Sequence, residues 1–498
     1  MPRNTASHTL SRRYDPSVAK LRETHERELK LAVPPGFRLP EIPGEPLELR
    51  RFTSTYLDSA DRALTRAGIT LRRRVQDRRG LWQLKLPGEG ERLELEAPGG
   101  PGKPPPELAE LLVGVLRGRA LERAAVLRTE RAGIRARENG RAVADVTIDT
   151  VSVLDGRRVR ERFVELEVEA LDDDGVAALP QLEQILVDAG ATAGDGRPKA
   201  FRAMGHFPLT RPLPPHWAPP LEHVRAMVAE QVAELIAHDP GTRLGEDPEE
   251  LHQTRVATRR LRAVLRAARP LLDEAWAESL RAELSWLGSA LGPVRDLDVL
   301  LERLRGEVGE LEAAERRAAG RFLELLEGER ASAREAMLEA MASARYAELL
   351  TRLEAAAVAL PARAEETSLE DIAAREFRKL RKAVRSLPPQ PTDEELHTVR
   401  IRGKRARYAA ELAEGVVGKP ARRVVKYAKR LQDVIGEHQD AAVAEERIRG
   451  LLGRVDSARA HFAAGQLVER ERERRRDARA AFPQAWSQLK KSGKRAWS

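Results

Sequence analysis

The chain has 498 residues and no cysteine, and 87 Lys and Arg against 78 Asp and Glu give a formal net charge of +9. The length exceeds that of one ordinary domain, and the lack of cysteine excludes disulfides and thiolate metal or redox sites. With 33% charged but only 4% aromatic residues, the composition predicts an aliphatic core. No apolar run reaches membrane-spanning length and no signal-peptide core is seen, so we expect a cytoplasmic protein without a membrane partner.

The first half of the chain has the pattern of a β domain. Residues 1–20 are polar and basic without a period, and we expect a disordered tail there. Over residues 21–205 alternation predicts short strands whose one face is Leu, Val and Ile. The strand-like segments are LKLAV, LRRRV, LWQLKL, RLELEA, AVADVTID and RFVELEVEA. Their other face repeats a few polar types: Arg72 and Arg74; Gln83 and Lys85; Arg92, Glu94 and Glu96; Asp145, Thr147 and Asp149; Glu165, Glu167 and Glu169.

The first of these segments carries three charges on one face. In extended backbone Glu26, Glu28 and Lys30 point to the same side. Buried charges are costly unless they are paired or bind an ion, so this stretch is a candidate site.

Two architectures explain the polar faces. Solvated antiparallel strands with one wet face are the simpler explanation. Alternatively, a closed barrel places the charges inside and the apolar face outside, under covering helices. An interior with carboxylates and Arg or Lys suits divalent cations held against a phosphate chain.

Five segments in order resemble one known family. They are Glu26-x-Glu28-x-Lys30, TYLDSAD from Thr55, AGITLRRR from Ala67, WQLKLP from Trp82 and FVELEVE from Phe163. This series resembles the CYTH domain of the triphosphate tunnel metalloenzymes. The resemblance implies an eight-stranded antiparallel β-tunnel that hydrolyses or rearranges triphosphate groups with Mg²⁺ or Mn²⁺.

The same resemblance implies roles for individual residues. It makes Glu26 and Glu28 metal ligands, and Lys30 a phosphate contact that assists catalysis. Arg128 and Arg131 stand where the family has a Lys-x-x-Arg pair, so Arg128 departs from that pattern. The implied phosphate-binding residues are Arg72, Arg74, Lys85, Arg128, Arg131, Lys199 and Arg202. The implied metal ligands are Glu26, Glu28, Asp149, Glu165 and Glu167, and Glu169 lies nearest the strand exit.

The residue types also fit this chemistry directly. Phosphoanhydride cleavage needs charge neutralisation and an in-line water, which oxygen-bound metals and fixed cations provide without a side-chain nucleophile. His8 and His25 are the only histidines in this half before the connector, which argues against a zinc site.

The second half of the chain is predicted to be helical. Residues 206–220 form a proline-rich connector, and from residue 221 to residue 498 the period changes to 3.6. Two segments carry basic stripes at helical spacing: His252, Arg255, Arg259, Arg262 and Arg266, and then His397, Arg400, Lys404 and Arg407. The stripes start 145 residues apart, and Gly292 and Gly436 are 144 apart, which predicts an internal duplication.

Stacked like charges repel and need compensation. Acidic partners such as Asp296, Asp298, Asp433 and Asp440 are one solution. The other is a linear polyanion lying along the stripe.

The paired basic motifs look like the CHAD domain. That resemblance implies two four-helix halves that bind inorganic polyphosphate. His438 fits a family histidine, although Val294 replaces it in the first repeat, and a packing role fits His438 equally well. The implied polyphosphate-binding residues are the two stripes together with Lys426 and His438.

We therefore expect a metal-dependent hydrolase of inorganic triphosphate or polyphosphate whose helical domain binds polyphosphate. The alternatives are a non-catalytic polyphosphate-binding or localising protein, and a nucleotide enzyme such as a thiamine triphosphatase or adenylate cyclase. Nucleic acid is not the expected partner, although phosphate contacts alone carry no identity. The expected location in the cytoplasm includes association with polyphosphate granules.

Overall fold

The computed structural model describes residues 21–87, 92–194, 197–205, 213–363 and 367–497, except for the side chains of Glu23, His25, Glu26 and Arg92. The predicted tail and the first part of the predicted connector lie outside these residues. Contacts divide the chain into unit 1, Met1–Leu112 with Gly118–Pro208, and unit 2, Val113–Arg117 with Leu209–Ser498.

Unit 1 is built on one antiparallel sheet. Its described strands are β1 (Arg22–Glu26), β2 (Glu28–Ala32), β3 (Gly44–Asp58), β4 (Thr70–Gln76), β5 (Arg79–Leu86), β6 (Arg92–Pro98), β7 (Glu122–Glu138), β8 (Arg141–Asp155), β9 (Arg158–Ala170) and β10 (Thr192–Ala193). The strand order is β1-β6-β5-β4-β3-β7-β8-β9-β2-β10.

The sheet closes on itself at Arg27. β1 and β2 are two halves of one run, separated only by Arg27. The first half, β1, pairs with β6, and the second half, β2, pairs with β9. This one run of chain therefore joins both sides of the sheet and closes it into a barrel. The expected antiparallel tunnel is therefore present. The sheet differs from the expected eight strands because the first strand is broken and the two-residue β10 is added.

Unit 1 also contains helices. They are α1 (Ala63–Arg66), α2 (Pro106–Leu111), α4 (Asp173–Asp188) and α5 (Lys199–Met204), whereas α3 (Val113–Leu116) falls in unit 2. Leu182 and Leu186 of α4 pack with Val146, Leu166 and Val168 of β8 and β9. Because strand side chains alternate, this packing turns the charged positions of β8 and β9 inward.

The regular elements of unit 2 are helices, and one isolated antiparallel bridge joins Leu272 and Ala362. The helices are α6 (Pro220–Ala237), α7 (Asp239–Leu244), α8 (Pro248–Ala267), α9 (Glu274–Gly309), α10 (Ala313–Ala342), α11 (Ala344–Val358), α12 (Leu369–Arg385), α13 (Asp393–Val417), α14 (Lys419–Leu452) and α15 (Ala458–Ala496). Leu261 and Leu265 of α8 share a core with Ala409 and Leu412 of α13. Within the described ranges, none of these helices has the length and apolar character needed to cross a bilayer.

The two basic stripes occupy equivalent places in their helices. His252 is the fifth residue of α8 and His397 the fifth residue of α13, and each helix precedes a long one, α9 and α14. The division into two four-helix halves remains a prediction.

Candidate functional site

The closed sheet of unit 1 surrounds a cavity of about 350 Å³. We call it the tunnel cavity. Among the residues expected from the sequence, its lining includes Glu28, Lys30, Arg72, Arg74, Lys85, Arg131, Glu167 and Lys199. Further lining residues are Arg22, Glu48, Arg50, Phe52, Tyr56, Glu94, Glu96, Asp145 and Glu169. The inside of the barrel thus has both charge signs, as the second of the two architectures requires.

Lys30 lies against the acidic side of the tunnel cavity. It is the cross-strand partner of Glu167. Its Nζ lies 3.1 Å from Oε1 of Glu28 and 3.4 Å from Oε1 of Glu167. The ammonium group is therefore held between two carboxylates and points into the cavity.

Arg131 and Lys199 converge on the same two acids. Arg131 donates Nε and Nη2 to Asp149 at 2.7 Å each, and Nη2 also donates to Glu167 at 2.7 Å. Nζ of Lys199 lies 2.7 Å from both Asp149 and Glu167. Burial alone would raise the pKa of Glu167, but Lys199, Lys30 and Arg131 outweigh it and hold that pKa well below its usual range.

Asp149 and Glu165 face the inside of the barrel but are not among the residues that line the cavity. Asp149 is 0% exposed and is engaged by both Arg131 and Lys199. Glu165 is not among the lining residues, and its carboxylate lies 3.6 Å from Nζ of Lys199. Burial, assisted by Glu167 and opposed by Lys199, raises the pKa of Glu165. These two acids are placed to hold Lys199 and Arg131 in position.

A hydrogen-bonded chain fixes Arg72 on the opposite wall. Nε of Arg72 donates to Oε1 of Gln83 at 2.7 Å, and Nη1 donates to Oη of Tyr56 at 3.0 Å. Gln83 in turn donates Nε2 to Glu96 at 2.7 Å. A guanidinium held at two of its nitrogens is pre-positioned for a phosphate.

Arg74 and Lys85 complete this basic wall. The guanidinium of Arg74 lies 4.3 Å from the ring centroid of Phe52, a stacking distance. Burial, then the charges of Arg72 and Arg131, lowers the pKa of Arg74. Nζ of Lys85 lies 3.1 Å from Glu94.

Three of the residues expected in the site are placed differently or lie outside the description. Arg128 is exposed and lies on the opposite face of β7 from Arg131, because residues three apart on a strand face opposite ways. Arg202 stacks on Phe163 at 4.2 Å and does not line the cavity. The side chain of Glu26 lies outside the described residues.

Sequence reasoning missed Arg50, Phe52 and Tyr56. All three line the cavity from β3. The signal was available in the segment RFTSTYL, where β-branched and aromatic residues are enriched.

α5 closes one end of the barrel. Phe201 of this helix, 2% exposed, packs with Tyr56, Leu127, Val151 and Phe163. Lys199 stands at the start of the same helix, and its side chain is only 10% exposed. This buried apolar layer and Lys199 lie at the same end of the barrel.

Three acids lie side by side across the inner wall. Glu28 is the direct cross-strand partner of Glu169, which is in turn the partner of Asp145. We call these residues the carboxylate row. Adjacent like charges on a sheet repel, and hard divalent cations take carboxylate oxygens, so the donor types of the row fit Mg²⁺ or Mn²⁺. As placed, no three His, Asp or Glu side chains among the described residues already form a metal site.

In unit 2, α8 and α13 bring the two basic stripes together. Arg259 of α8 donates Nε to Oη of Tyr408 of α13 at 3.0 Å. The guanidinium of Arg407 lies 4.5 Å from the Tyr408 ring centroid. Arg400 and Lys404 are on the same helix as Arg407, at helical spacing. We call Arg259, Arg400, Lys404 and Arg407 the cation cluster.

The positive charges of the cation cluster help to lower the pKa of Lys404, which belongs to it. Burial, then the positive charges of Arg400, Arg259 and Arg407, lowers the pKa of Lys404 to about 8, with Asp440 opposing the shift. The neighbouring cations thus favour the neutral amine.

Other stripe residues have acidic or structural partners, or are exposed. Nη1 of Arg255 pairs with Asp296 at 2.7 Å, so acidic compensation applies there. Burial, followed by the positive charge of Arg281, lowers the pKa of Arg262. In the same way, burial and the positive charge of Arg295 lower the pKa of His252. Arg266, His397 and Lys426 are exposed.

His438 is a packing residue in this structure. It is 3% exposed, and its Nε2 accepts a hydrogen bond of 3.0 Å from Nε of Arg479. Burial, then Arg479, lowers its pKa, with Asp393 opposing. A buried imidazole that accepts from a guanidinium is neutral and does not add a charge to the basic surface.

Comparisons with known proteins match both halves of the chain. The CYTH domain model matches residues 24–189 and the CHAD domain model residues 226–449. Two proteins of Mycobacterium tuberculosis, "Uncharacterized protein MT2285" of strain CDC 1551 / Oshkosh and "Uncharacterized protein Rv2226" of strain ATCC 25618 / H37Rv, are each 31% identical over 486 residues. The match covers 90% of this chain and 91% of each relative.

Solved structures resemble single parts of the chain. PptA from Streptomyces chartreusis is 25% identical with a TM-score of 0.47, covering 54% of this chain and 100% of that one. The CHAD domain from Ricinus communis is 27% identical with a TM-score of 0.44, and the match covers 56% of this chain and 94% of that one. HpAC1 from Hippeastrum is 18% identical with a TM-score of 0.25, and the match covers 36% of this chain and 97% of that one. That protein is described as having a dominant triphosphatase activity. From the two domain matches and the relatives aligned over nearly their whole length, the chain belongs to the family of proteins in which a CYTH domain precedes a CHAD domain.

Proposed function

We propose that unit 1 hydrolyses inorganic triphosphate or the end of a polyphosphate chain with Mg²⁺ or Mn²⁺. The observation that carries the proposal is the convergence of Lys30, Arg72, Lys85, Arg131 and Lys199 on one cavity that also contains the carboxylate row. CYTH proteins are triphosphatase- and cyclase-type enzymes and generally depend on divalent metals. Fixed cations facing oxygen ligands are the arrangement that phosphoryl transfer needs.

The carboxylate row is the part of the cavity that would hold the cation. Glu28, Glu169 and Asp145 all line it, and Asp145 is also held by Arg135 at 2.7 Å, whereas Asp149 and Glu165 do not line it and lie against Lys199. We therefore leave Asp149 and Glu165 out of the proposed ligand set. When bound, the cation neutralises phosphate charge and orients the attacking water.

The chain's own side chains bind and orient the phosphates. Arg72, Arg74 and Lys85 hold phosphate oxygens from one wall, and Arg131 and Lys199 hold them from the other. Lys30, set between Glu28 and Glu167, stabilises the charge that develops on the transferred phosphoryl group. Arg128 and Arg202 have no part in this binding because they do not line the cavity.

The walls favour inorganic chains over nucleotides. The ring of Phe52 is already stacked by Arg74, and the hydroxyl of Tyr56 already accepts from Arg72. Both rings are also buried, with Phe52 6% and Tyr56 5% exposed, so neither presents an open face to a base.

For unit 2 we propose binding of polyphosphate along the cation cluster. Arg259, Arg400, Lys404 and Arg407 place four cations on two adjoining helices, and a row of phosphates matches such a line. Arg407 has a longer pair with Glu411 at 3.4 Å and is kept, whereas Arg255, paired with Asp296 at 2.7 Å, and the buried His438 are left out of this set.

A phosphate-release assay tests the proposal. The full chain is offered tripolyphosphate, long polyphosphate, ATP and thiamine triphosphate, each with Mg²⁺ or Mn²⁺. We expect fastest release from tripolyphosphate and loss of that release in Lys30→Met, while Arg128→Met, on the outer face, retains it. Release from none of the four, or equal release by Lys30→Met, contradicts the proposal.

A further inference from the structure

Lys404 is an amine surrounded by guanidinium groups. Arg400 and Arg407 flank it on α13, and Arg259 reaches the same place from α8 through its bond to Tyr408. The side chain of Lys404 is partly exposed, and no salt bridge to it is seen among the described residues. A phosphate group arriving here meets several cations and one nucleophile together.

The state of this amine suits a reaction near neutral pH. With a pKa of about 8, roughly a quarter of the Lys404 side chains are unprotonated at pH 7.5. An ordinary lysine, with a pKa near 10.4, is unprotonated to only about 0.1% at that pH. The charged groups facing Lys404 are Arg400 and Arg407 on its own helix, Arg259 from α8 and Asp440 from α14.

We propose that Lys404 is a covalent modification site that takes an acyl group from an acyl phosphate held by the guanidinium groups around it. The neutral Nζ attacks the carbonyl carbon and forms an N–C bond. The C–O bond to the phosphate breaks, and the phosphate leaves with the proton lost by the amine. The products are an amide on Lys404 and inorganic hydrogen phosphate, so atoms and charge balance without a redox partner.

Two features of the cluster favour this reaction over attack at other lysines. The guanidinium groups bind the phosphate of the reagent and hold its carbonyl near the amine, which raises the local concentration. In the protein without a bound anion, the same groups keep the amine partly unprotonated. Acylation removes one positive charge from the cluster, and, if the proposed polyphosphate binding holds, it weakens that binding.

The test uses the full chain and acetyl phosphate at pH 7.5, with peptide mass mapping over time. Lys426 and Lys429 of α14, both exposed, are internal controls in the same unit. We expect Lys404 to be acetylated about tenfold faster than either control. A rate at Lys404 no greater than at Lys426 and Lys429 overturns the proposal.

A parallel reaction with acetyl N-hydroxysuccinimide ester, which lacks a phosphate, tests the guanidinium contribution. We expect the ratio of Lys404 to Lys426 acetylation to be larger with acetyl phosphate than with the ester. If the two reagents give equal ratios, the cation cluster does not hold the phosphate of acetyl phosphate, and that part of the proposal is overturned. Neither reaction uses polyphosphate, so the outcome is independent of whether unit 2 binds it.

Discussion

Arg128 and Arg131 lie three residues apart on β7 and face opposite sides of the barrel wall. Arg131 lines the tunnel cavity with two hydrogen bonds of 2.7 Å to Asp149, whereas Arg128 is exposed. The pair therefore gives a matched test of the inner wall.

We expect Arg131→Lys to lower kcat/KM for tripolyphosphate by about tenfold to a hundredfold. Lysine keeps the charge, so Asp149 is not left unpaired, but it cannot form the forked contact. Arg128→Lys should change kcat/KM less than twofold. Steady-state kinetics of both variants check this, and equal losses at the two positions would show that β7 does not place Arg131 at the substrate.

The same residues show what the sequence could and could not predict. Alternation in β8 and β9 correctly turned Asp145, Glu167 and Glu169 toward one face. The family motif, in contrast, paired Arg128 with Arg131, although a period of two cannot place residues three apart on one face.

The sequence did not reveal β3 and β7, which are among the longest strands of the described sheet. β3 has 15 residues and β7 has 17, and charges interrupt their alternation at both exposed and buried positions. Arg50, Phe52 and Tyr56 were missed with β3. The exclusion of Asp149 from the cavity depends on tertiary packing against Lys199, which no local pattern contains.

Tyr56→Phe tests the positioning of Arg72. The change removes the hydroxyl that accepts from Nη1 of Arg72 but keeps the ring in the apolar layer with Phe163. We expect kcat to fall about fivefold to tenfold with a smaller change in KM, because one hydrogen bond that orients a cation is lost. Unchanged kcat in steady-state assays would show that Gln83 alone positions Arg72.

The closed end of the tunnel predicts that only chain ends react. Phe201 and Phe163 form a buried apolar layer at the end of the barrel near Lys199, and we expect this layer to stop a phosphate chain there, so that a substrate enters by one terminus. We expect linear tripolyphosphate to release phosphate and cyclic trimetaphosphate to be cleaved at least about a hundredfold more slowly. Comparable rates, followed by ³¹P NMR, would contradict a blind tunnel.

Polyphosphate affinity should fall as pH rises past 8. The pKa of Lys404 is lowered to about 8, so the free protein loses this charge above that pH, while bound phosphate favours the charged form. We expect Kd to rise about threefold to tenfold between pH 7 and pH 9.5 at fixed salt. Lys404→Arg stays charged over this range, so its Kd should change less with pH in calorimetric titrations. An equally steep pH dependence of Kd in that variant would show that another group causes it.

The stability of unit 2 should depend on Glu307. Burial, then the charge of Glu471, raises the pKa of Glu307 to about 7 against Arg474 and Arg303. Because the folded pKa exceeds the unfolded value of 4.5, the folded state loses stability as pH rises from about 4.5 to 7.

Glu307→Gln should therefore be more stable than the wild type at pH 8, by on the order of 2 kcal/mol, and about equal to it at pH 4.5. Denaturant unfolding at the two pH values measures the difference. A gain that is the same at both pH values would assign it to packing instead of proton binding.

The most direct test of the account is phosphate release from tripolyphosphate by the wild type and Glu28→Gln, measured with Mg²⁺, with Mn²⁺ and with chelator. Glu28 contacts Lys30 at 3.1 Å and belongs to the carboxylate row. The neutral side chain of the Glu28→Gln variant therefore weakens both the contact with Lys30 and the binding of a cation by the row. We predict metal-dependent release by the wild type and a loss of about a hundredfold or more in the variant. Release that persists in chelator, or is equal in Glu28→Gln, would contradict hydrolysis in the tunnel cavity.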